Sequence, residues 1–211
     1  MGKYFGTDGF RGEANVDLTV EHAYKVGRFL GSYYSKDGKK CRVVIGKDTR
    51  RSSYMFEYSL VAGLTASGAD AYLLHVTTTP SVSYVVRSDD FDCGIMISAS
   101  HNPYYDNGIK VINGNGEKLE EEVIEKIESY IDGPDDAIAF ATKENIGRTV
   151  DYAAGRNRYI GYLISIATRS FKGKKVALDL ANGSASSIAK NVFDALGADT
   201  YVIHNNPDGL N

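Results

Sequence analysis

Apolar positions along the chain follow two alternating periods, one typical of helices and one typical of strands. Apolar residues spaced three and four apart indicate amphipathic helices, whereas short unbroken apolar runs indicate buried strands. The first pattern predicts helices at 19–34, 52–67, 81–87, 119–131, 151–166 and 184–196. The second predicts strands at 42–46, 71–76, 93–97, 109–112, 176–180 and 200–204. This alternation predicts an α/β fold with a mixed, mainly parallel sheet sandwiched between helices.

An internal sequence repeat shows that this pattern of elements occurs twice. Residues 68–75 read Gly-Ala-Asp-Ala-Tyr-Leu-Leu-His, and residues 197–204 read Gly-Ala-Asp-Thr-Tyr-Val-Ile-His. In both places a predicted strand and helix precede the match, and the Gly-Ala-Asp segment leads into the next strand. Two copies in the same frame indicate a duplicated domain.

The internal repeat also predicts the domain organisation. We expect a first domain at 1–148, which ends in a polar, weakly periodic linker, and a linker helix with an incomplete second copy at 149–211. The first copy continues through further elements, whereas the second stops shortly after His204. We therefore expect this chain to be a fragment of a longer protein.

Composition narrows the functional classes. The chain is 43% hydrophobic and 24% charged, as in ordinary soluble proteins, and its formal net charge of -3 argues against a nucleic-acid partner. No apolar stretch approaches the roughly 20 residues of a membrane span, and the N-terminus lacks the apolar core of a secretory leader. Cys41 and Cys93 each open an apolar run, which predicts buried free thiols in a cytoplasmic protein. A disulfide or a two-ligand metal site is the alternative.

The strongest candidate for chemistry is the segment Ile-Ser-Ala-Ser-His-Asn-Pro at 97–103, which follows a predicted buried strand. Open α/β sheets bind ligands at the carboxyl ends of their strands, so this position would present the Ser100 hydroxyl with His101 and Asn102 beside it. An ordinary polar turn is the alternative, since Ser, Asn and Pro are common turn residues. Neighbouring side chains on an extended segment point apart, so we expect no Ser–His dyad here.

Two other segments offer cations. Residues 5–12 contain three glycines, whose backbone N–H groups can face an anion, and Arg11 adds a planar guanidinium; a plain N-terminal turn is the alternative. Lys110 would return towards Ser100 if the strands on either side of the loop pair; a solvated strand lysine is the alternative.

A third segment, Gly-Lys-Asp-Thr-Arg at 46–50, ends another predicted strand. We interpret it as structural, with Asp48 and Arg50 bonding to loop backbone.

Taken together, these segments resemble the α-D-phosphohexomutase superfamily. The segments that carry the resemblance are 6–12, 46–50, 98–103, 106–110 and, in the second domain, 179–183. The Gly-Thr-Asp-Gly-x-Arg-Gly start and the Ser-Ala-Ser-His-Asn-Pro loop are most similar to the bacterial phosphoglucosamine mutase branch.

The resemblance implies a reaction and a set of site residues. Ser100 would be a phosphoserine that donates its phosphoryl group to glucosamine 6-phosphate, and a bisphosphorylated sugar would return the other group to leave glucosamine 1-phosphate for cell-wall precursor synthesis. Arg11, Lys110 and His101 would be the catalytic groups beside it. Residues that would bind the substrate phosphate are Thr7, Gly9 and Asn102.

The resemblance further implies Mg²⁺, bound to a phosphoryl oxygen of Ser100. The sequence contains no Asp-Gly-Asp, so we expect the remaining metal ligands outside it and no turnover by this chain alone. The implied partners are a sugar phosphate and, through the first domain, a second copy of the chain. A phosphomannomutase or phosphoglucomutase, and a non-catalytic dimerisation or sugar-phosphate-binding module, are the alternatives.

Overall fold

The computed structural model describes residues 2–35, 38–134 and 137–211, and its larger part is built on a seven-stranded sheet. The strands are β1 (Phe5–Gly6), β2 (Gly9–Glu13), β3 (Arg42–Lys47), β4 (Asp70–Val76), β5 (Cys93–Ile97), β6 (Asp106–Asn113) and β7 (Thr149–Asp151). Their order across the sheet is β1-β2-β6-β5-β3-β4-β7. The pairs β3–β4, β3–β5 and β4–β7 are parallel, whereas β5–β6, β2–β6 and β1–β2 are antiparallel. The predicted mixed, mainly parallel sheet is confirmed.

Four helices cover the two faces of this sheet: α1 (Val20–Tyr34), α2 (Arg51–Ala66), α3 (Thr79–Ser88) and α4 (Glu121–Ile131). Successive strand residues point to opposite faces, so each strand supplies two cores. Val43 and Ile45 pack with apolar residues of α1, α2 and α4 on one face, and Val44 and Met96 pack with α3 on the other. The predicted sandwich therefore has two hydrophobic layers.

A local side-chain cap explains where α1 begins but not where α2 begins. The Thr19 side chain accepts the backbone N–H of His22, and the His22 ring accepts the backbone N–H of Thr19, which forms a capping box at α1. Helix α2 begins at Arg51, one or two residues before the expected serines. Ser53 does not cap it, because the Ser53 hydroxyl donates to Asp48 Oδ1 at 2.6 Å.

The expected boundary between residues 148 and 149 falls at the start of a strand that belongs to the first sheet. A 3₁₀ turn at Lys143–Asn145 leads to β7, whose three residues pair in parallel with β4. Residues 135 and 136 of the predicted linker lie outside the described residues.

The second region, residues 153–211, contains α5 (Ala153–Ser165), β8 (Lys175–Asp179), α6 (Ala189–Ala195) and β9 (Asp199–Ile203). The residues before it form the first region. Strands β8 and β9 form a two-stranded parallel sheet. The helix expected at 184–196 is broken, because Ser184–Ser187 form a 3₁₀ turn and the α-helix begins only at Ala189. The Ser187 hydroxyl donates to Val76 O at 3.0 Å, which ties this turn to the first region.

The two copies of the sequence repeat also have similar backbone geometry. Gly68 and Gly197 both lie in the left-handed region, with φ of 88° and 89°. His75, the last residue but one of β4, and His204, just after β9, have φ of 60° and 48°, and each lies beside an aspartate of the adjacent strand. The two copies therefore share their turns as well as their order of elements.

Both cysteines are free and buried, as expected. Burial raises the pKa of the Cys41 and Cys93 thiols, which keeps both protonated. Among the helices that the structure describes, none combines the length and apolar character needed to cross a lipid bilayer.

Candidate active site

A cleft of about 820 Å³ opens beside the carboxyl ends of β3, β4 and β5. One wall is the connection between β5 and β6, which includes Ser98, Ser100 and His101. The second region supplies the facing wall through residues 181–184 and 209–211. The structure thus places the predicted Ser-His-Asn-Pro loop at an open cleft, where strand ends of α/β sheets bind ligands.

Ser100 occupies an unusual backbone conformation at the mouth of this cleft. It is exposed, its φ is 59°, and its backbone N–H donates to Ser98 Oγ at 3.0 Å. The Ser100 hydroxyl oxygen lies 3.3 Å from His101 Nδ1. The expectation that these neighbouring side chains point apart is therefore wrong. It assumed an extended segment, whereas the left-handed residue turns the chain and brings the two groups together.

A buried ion pair supports the loop from below. The Arg50 guanidinium is paired with the Asp48 carboxylate, and Arg50 Nη2 donates to Ser100 O at 3.2 Å and to Asn102 O at 2.7 Å. The Asn102 side chain donates to Asp106 Oδ2 at 2.9 Å. The expected bonds from Arg50 to the loop backbone are present, and Asp48 and Arg50 also line the cleft, while Asn102 is held at both its backbone and its amide.

Lys110 lies in the same cleft because β5 and β6 pair as expected, with Met96 opposite Lys110. Partial burial, and then the positive charge of Arg11, lower the pKa of the Lys110 ammonium, and Asp8 opposes this only in part. A lysine with a lowered pKa gives up its proton more readily than a solvated one.

Arg11 lies next to Lys110 and is absent from the residues that line the cleft. Its backbone pairs with Gly108, and a Cβ at Gly108 would lie 2.8 Å from Ser98 O and 3.0 Å from Arg11 Cγ. Glycine at 108 thus allows β2 and the residues before Ser100 to approach closely. The Arg11 guanidinium lies 3.4 Å from Asp8 Oδ2, and its buried Nε has no hydrogen-bond partner among the described residues.

The predicted phosphate-binding residues Thr7 and Gly9 line an adjoining cavity of about 390 Å³. This cavity shares Lys110, Thr79 and Pro80 with the cleft. Thr7 and Gly9 therefore share a cavity with Lys110 but are not among the residues that line the cleft of the Ser100 loop.

Sequence reasoning did not assign residues 48–50, 78–80, 181–184 and 209–211 to the cleft wall. Residues 78–80, at the start of α3, and residues 182–184, after β8, both follow the carboxyl end of a parallel strand. That position was the available signal in each case. Thr49 Oγ1 donates to Asn182 O at 2.9 Å and links the two walls directly.

The described residues do not form a magnesium site by themselves. They contain no group of three or more His, Cys, Asp or Glu side chains that could hold a metal ion. Carboxylates near the cleft already have partners, since Asp48 pairs with Arg50 and Asp106 accepts from Asn102. A hard cation prefers several oxygen ligands, and these described carboxylates are already engaged.

Comparisons with known proteins agree with this geometry. The phosphoglucosamine mutase of Lachnoclostridium phytofermentans is 79% identical over 211 residues, and that of Lachnospira eligens is 74% identical over 213. Each match covers 100% of this chain and 47% of the relative, so the chain spans about half the length of these relatives. A solved phosphoglucomutase/phosphomannomutase family protein from Burkholderia thailandensis shares the fold, with a TM-score of 0.81 at 22% identity over 98% of this chain and 44% of that one.

The family assignment follows from the first region. Residues 2–137 match the family described as phosphoglucomutase/phosphomannomutase, alpha/beta/alpha domain I. This match contains the Ser100 loop, Lys110 and Arg11. The chain therefore belongs to the phosphoglucomutase/phosphomannomutase family.

Proposed function

We propose that the protein containing these residues is a phosphoglucosamine mutase, an isomerase that interconverts glucosamine 6-phosphate and glucosamine 1-phosphate through a phosphoserine at position 100. The observation that carries the proposal is the exposed Ser100 hydroxyl, held on a braced loop in a cleft that also contains Lys110. The two relatives at 79% and 74% identity support the choice of substrate.

The reaction has two transfers that restore the enzyme. In the first, a hydroxyl oxygen of the sugar monophosphate attacks the phosphorus on Ser100, the bond from phosphorus to Ser100 Oγ breaks, and the sugar becomes bisphosphorylated. In the second, after the sugar turns over, Ser100 Oγ attacks its other phosphoryl group, the ester bond to the sugar breaks, and the product leaves. No phosphoryl group is gained or lost over the cycle.

Each transfer moves one proton from the attacking hydroxyl to the leaving oxygen. His101 Nδ1, 3.3 Å from Ser100 Oγ, is positioned to give or take that proton at the serine. Lys110, with its lowered pKa, is assigned the same role at the sugar hydroxyl.

Charge and position provide the rest of the catalysis. A phosphoserine carries close to two negative charges, and its transfer depends mainly on alignment and charge stabilisation. Lys110 in the cleft, with Arg11 next to it but outside the cleft lining, would supply positive charge to the transferred group.

Mg²⁺ is part of the proposal, bound through a phosphoryl oxygen of Ser100. It would stabilise charge on the transferred group, and its other ligands would have to come from outside these residues. We further propose a cytoplasmic location, which the two buried free thiols support.

The test is the mutase activity of a full-length protein that contains this sequence. We expect Ser100→Ala to lower kcat for glucosamine 6-phosphate by at least about 10³-fold, because the phosphoryl carrier is lost. Ser129→Ala, an exposed helix serine, is the matched control and should leave kcat unchanged. Wild-type activity restricted to mannose or glucose phosphates would contradict the proposed substrate, and an active Ser100→Ala would contradict the proposed mechanism.

A further inference from the structure

Ser100 adopts a backbone conformation that its own chemistry does not favour. Its φ of 59° lies in the left-handed region, which residues other than Gly, Asn and Asp rarely occupy. The conformation has a consequence for the site, because it brings Ser100 Oγ to 3.3 Å from His101 Nδ1. Contacts from elsewhere in the fold must therefore hold this residue in place.

One contact is local, from the Ser100 backbone N–H to Ser98 Oγ at 3.0 Å, and the contacts from elsewhere in the fold come from Arg50. Its Nη2 donates to the carbonyl oxygens of Ser100 and Asn102, at 3.2 Å and 2.7 Å, and thereby spans the turn on both sides of His101. Both bonds come from the two hydrogens of one nitrogen of a planar guanidinium whose other nitrogen is paired with Asp48, so the directions of the two bonds are fixed relative to one another. A lysine ammonium is a point charge on a flexible stem and cannot reproduce that geometry.

Arg50 is itself held rigidly by Asp48. The Asp48 carboxylate binds the Arg50 guanidinium, accepts the Arg50 backbone N–H at 3.0 Å and accepts the Ser53 hydroxyl at 2.6 Å. The Asp48 backbone N–H donates to Ile97 O at 2.9 Å, at the start of the same loop. Arg50 and Asp48 are thus connected to the loop at Ile97, Ser100 and Asn102.

This pair is buried, which makes a purely stabilising role a weak explanation. Asp48 is 4% exposed and Arg50 is 9% exposed. Removing two charges from water is costly, and well-packed apolar residues often stabilise a fold as well as a buried ion pair does. Geometry at the loop accounts for a buried pair in this place.

We propose that Arg50, held by Asp48, is a positioning residue for phosphoryl transfer: it locks Ser100 in the left-handed conformation that directs Ser100 Oγ towards His101 and the cleft. This inference rests on the proposed function of Ser100. Arg50 acts through the backbone of the loop, so its loss should affect kcat more than substrate binding.

The chain offers a matched control for testing this. Arg28 is also buried, and its guanidinium also donates to two carbonyl oxygens, those of Ala66 and Ile138. Ala66 ends α2, at the opposite edge of the sheet from the Ser100 loop. Arg28→Lys therefore removes the same chemical group from the same type of contact at a distance from the site.

The experiment compares Arg50→Lys, Asp48→Asn and Arg28→Lys in the full-length protein. We expect Arg50→Lys to lower kcat by about 100-fold, with KM for glucosamine 6-phosphate within about threefold of wild type, because a loop displaced by about 1 Å misaligns the transfer. Asp48→Asn should lower kcat by about tenfold. Arg28→Lys should leave kcat unchanged. Amide hydrogen exchange at 98–103 should speed up only in the first two variants.

A chemical rescue separates a missing group from general damage. Millimolar ethylguanidinium should raise the kcat of Arg50→Ala at least about tenfold and should not raise that of Arg28→Ala. Should Arg50→Ala fail to fold, Arg50→Lys and Asp48→Asn decide the question. Two outcomes would overturn the positioning role while Ser100→Ala remains inactive. One is a kcat for Arg50→Lys within threefold of wild type. The other is an equal loss of kcat in Arg50→Lys and in Arg28→Lys. Inactive wild-type protein would instead overturn the proposed function.

Discussion

The two copies of the Gly-Ala-Asp segment have the same turns in very different surroundings. Gly68 and Gly197 have nearly equal φ, and each copy leads into a strand of a parallel pair. Leu74 of the first copy is fully buried, whereas Ile203, at the same place in the second, is 57% exposed. Local sequence thus determines the turn, while burial depends on which strands and helices lie next to the segment.

The cleft shows a similar asymmetry. The first region supplies the hydroxyl of Ser100, the imidazole of His101 and the ammonium of Lys110. The second region lines the cleft with residues 181–184, where Ala181 and Asn182 adopt φ of 48° and 50°. The proposed chemistry therefore belongs to the first region, and the second shapes the space in which it occurs.

The largest expected effect contrasts the two walls of the cleft. Lys110→Met in the full-length protein should lower kcat by about 10²- to 10⁴-fold, because a proton carrier and a cation are lost. Asn182→Ala should lower it by less than about tenfold. Steady-state assays of both variants check this contrast, and equal losses would show that the second wall is catalytic.

Lys110→Met should also stabilise the protein at neutral pH. The pKa of Lys110 is lowered in the folded state by burial and by Arg11, so folding disfavours the ammonium. In wild type, stability should rise as the pH increases from the folded-state pKa towards the unfolded value of 10.5, because the unfolded chain binds more protons in that window. The rise should be smaller in the variant. Urea unfolding at several pH values measures it, and a less stable variant would contradict the account.

Matched truncations test the difference in burial between the copies. Leu74→Ala should lower the free energy of unfolding by about 2–5 kcal/mol, since it leaves a cavity in the core. Ile203→Ala should change it by no more than about 0.5 kcal/mol, because the side chain is already largely in water. Urea titrations of this chain provide both values. Similar losses would mean that the exposed strand face is covered in solution.

Much of the cleft could be predicted from the sequence, because its key segments follow recognisable strands. The position of Ser100 at a strand end and the return of Lys110 into the same cleft depended only on strand pairing. The conformation of Ser100 could not be predicted, since serine is compatible with many turns and the contacts that select this one come from Arg50, fifty residues earlier in the chain.

Other features depended on distant partners in the same way. Strand β7 has three residues, too few for a periodic pattern, and it forms only because β4 offers an unpaired edge. The break before α6 coincides with a hydrogen bond from Ser187 to Val76 of the first region. Sequence periodicity carries no information on such contacts.

Alanine at the two glycines should have an intermediate effect. An L residue in the left-handed region costs about 1–2 kcal/mol, so both substitutions should destabilise the fold. Gly68→Ala should cost more, because its Cβ would lie 3.0 Å from Asn145 O, whereas a Cβ at Gly197 would lie 3.5 Å from Lys172 N. Thermal unfolding compares the two, and a larger loss at Gly197 would contradict the described packing.

The smallest effect concerns the aspartates beside the two histidines. The backbone N–H of Ala153 and then His75 lower the pKa of Asp151, and Ala181 and then His204 do the same for Asp179. Each carboxylate should favour the folded state above pH 3.8, and this contribution should disappear as the pH falls through its lowered pKa. NMR titration should place both midpoints below 3.8, and a midpoint above that value would contradict the shared geometry.

If Ser100 carries the transferred phosphoryl group, phosphate mapping by mass spectrometry should find that group on Ser100. The full-length protein is exposed to the bisphosphorylated sugar, digested and sequenced by tandem mass spectrometry. We expect an added mass of about 80 Da on Ser100, absent from Ser100→Ala. A phosphoryl group on another residue of the active protein, with Ser100 unmodified, would contradict it.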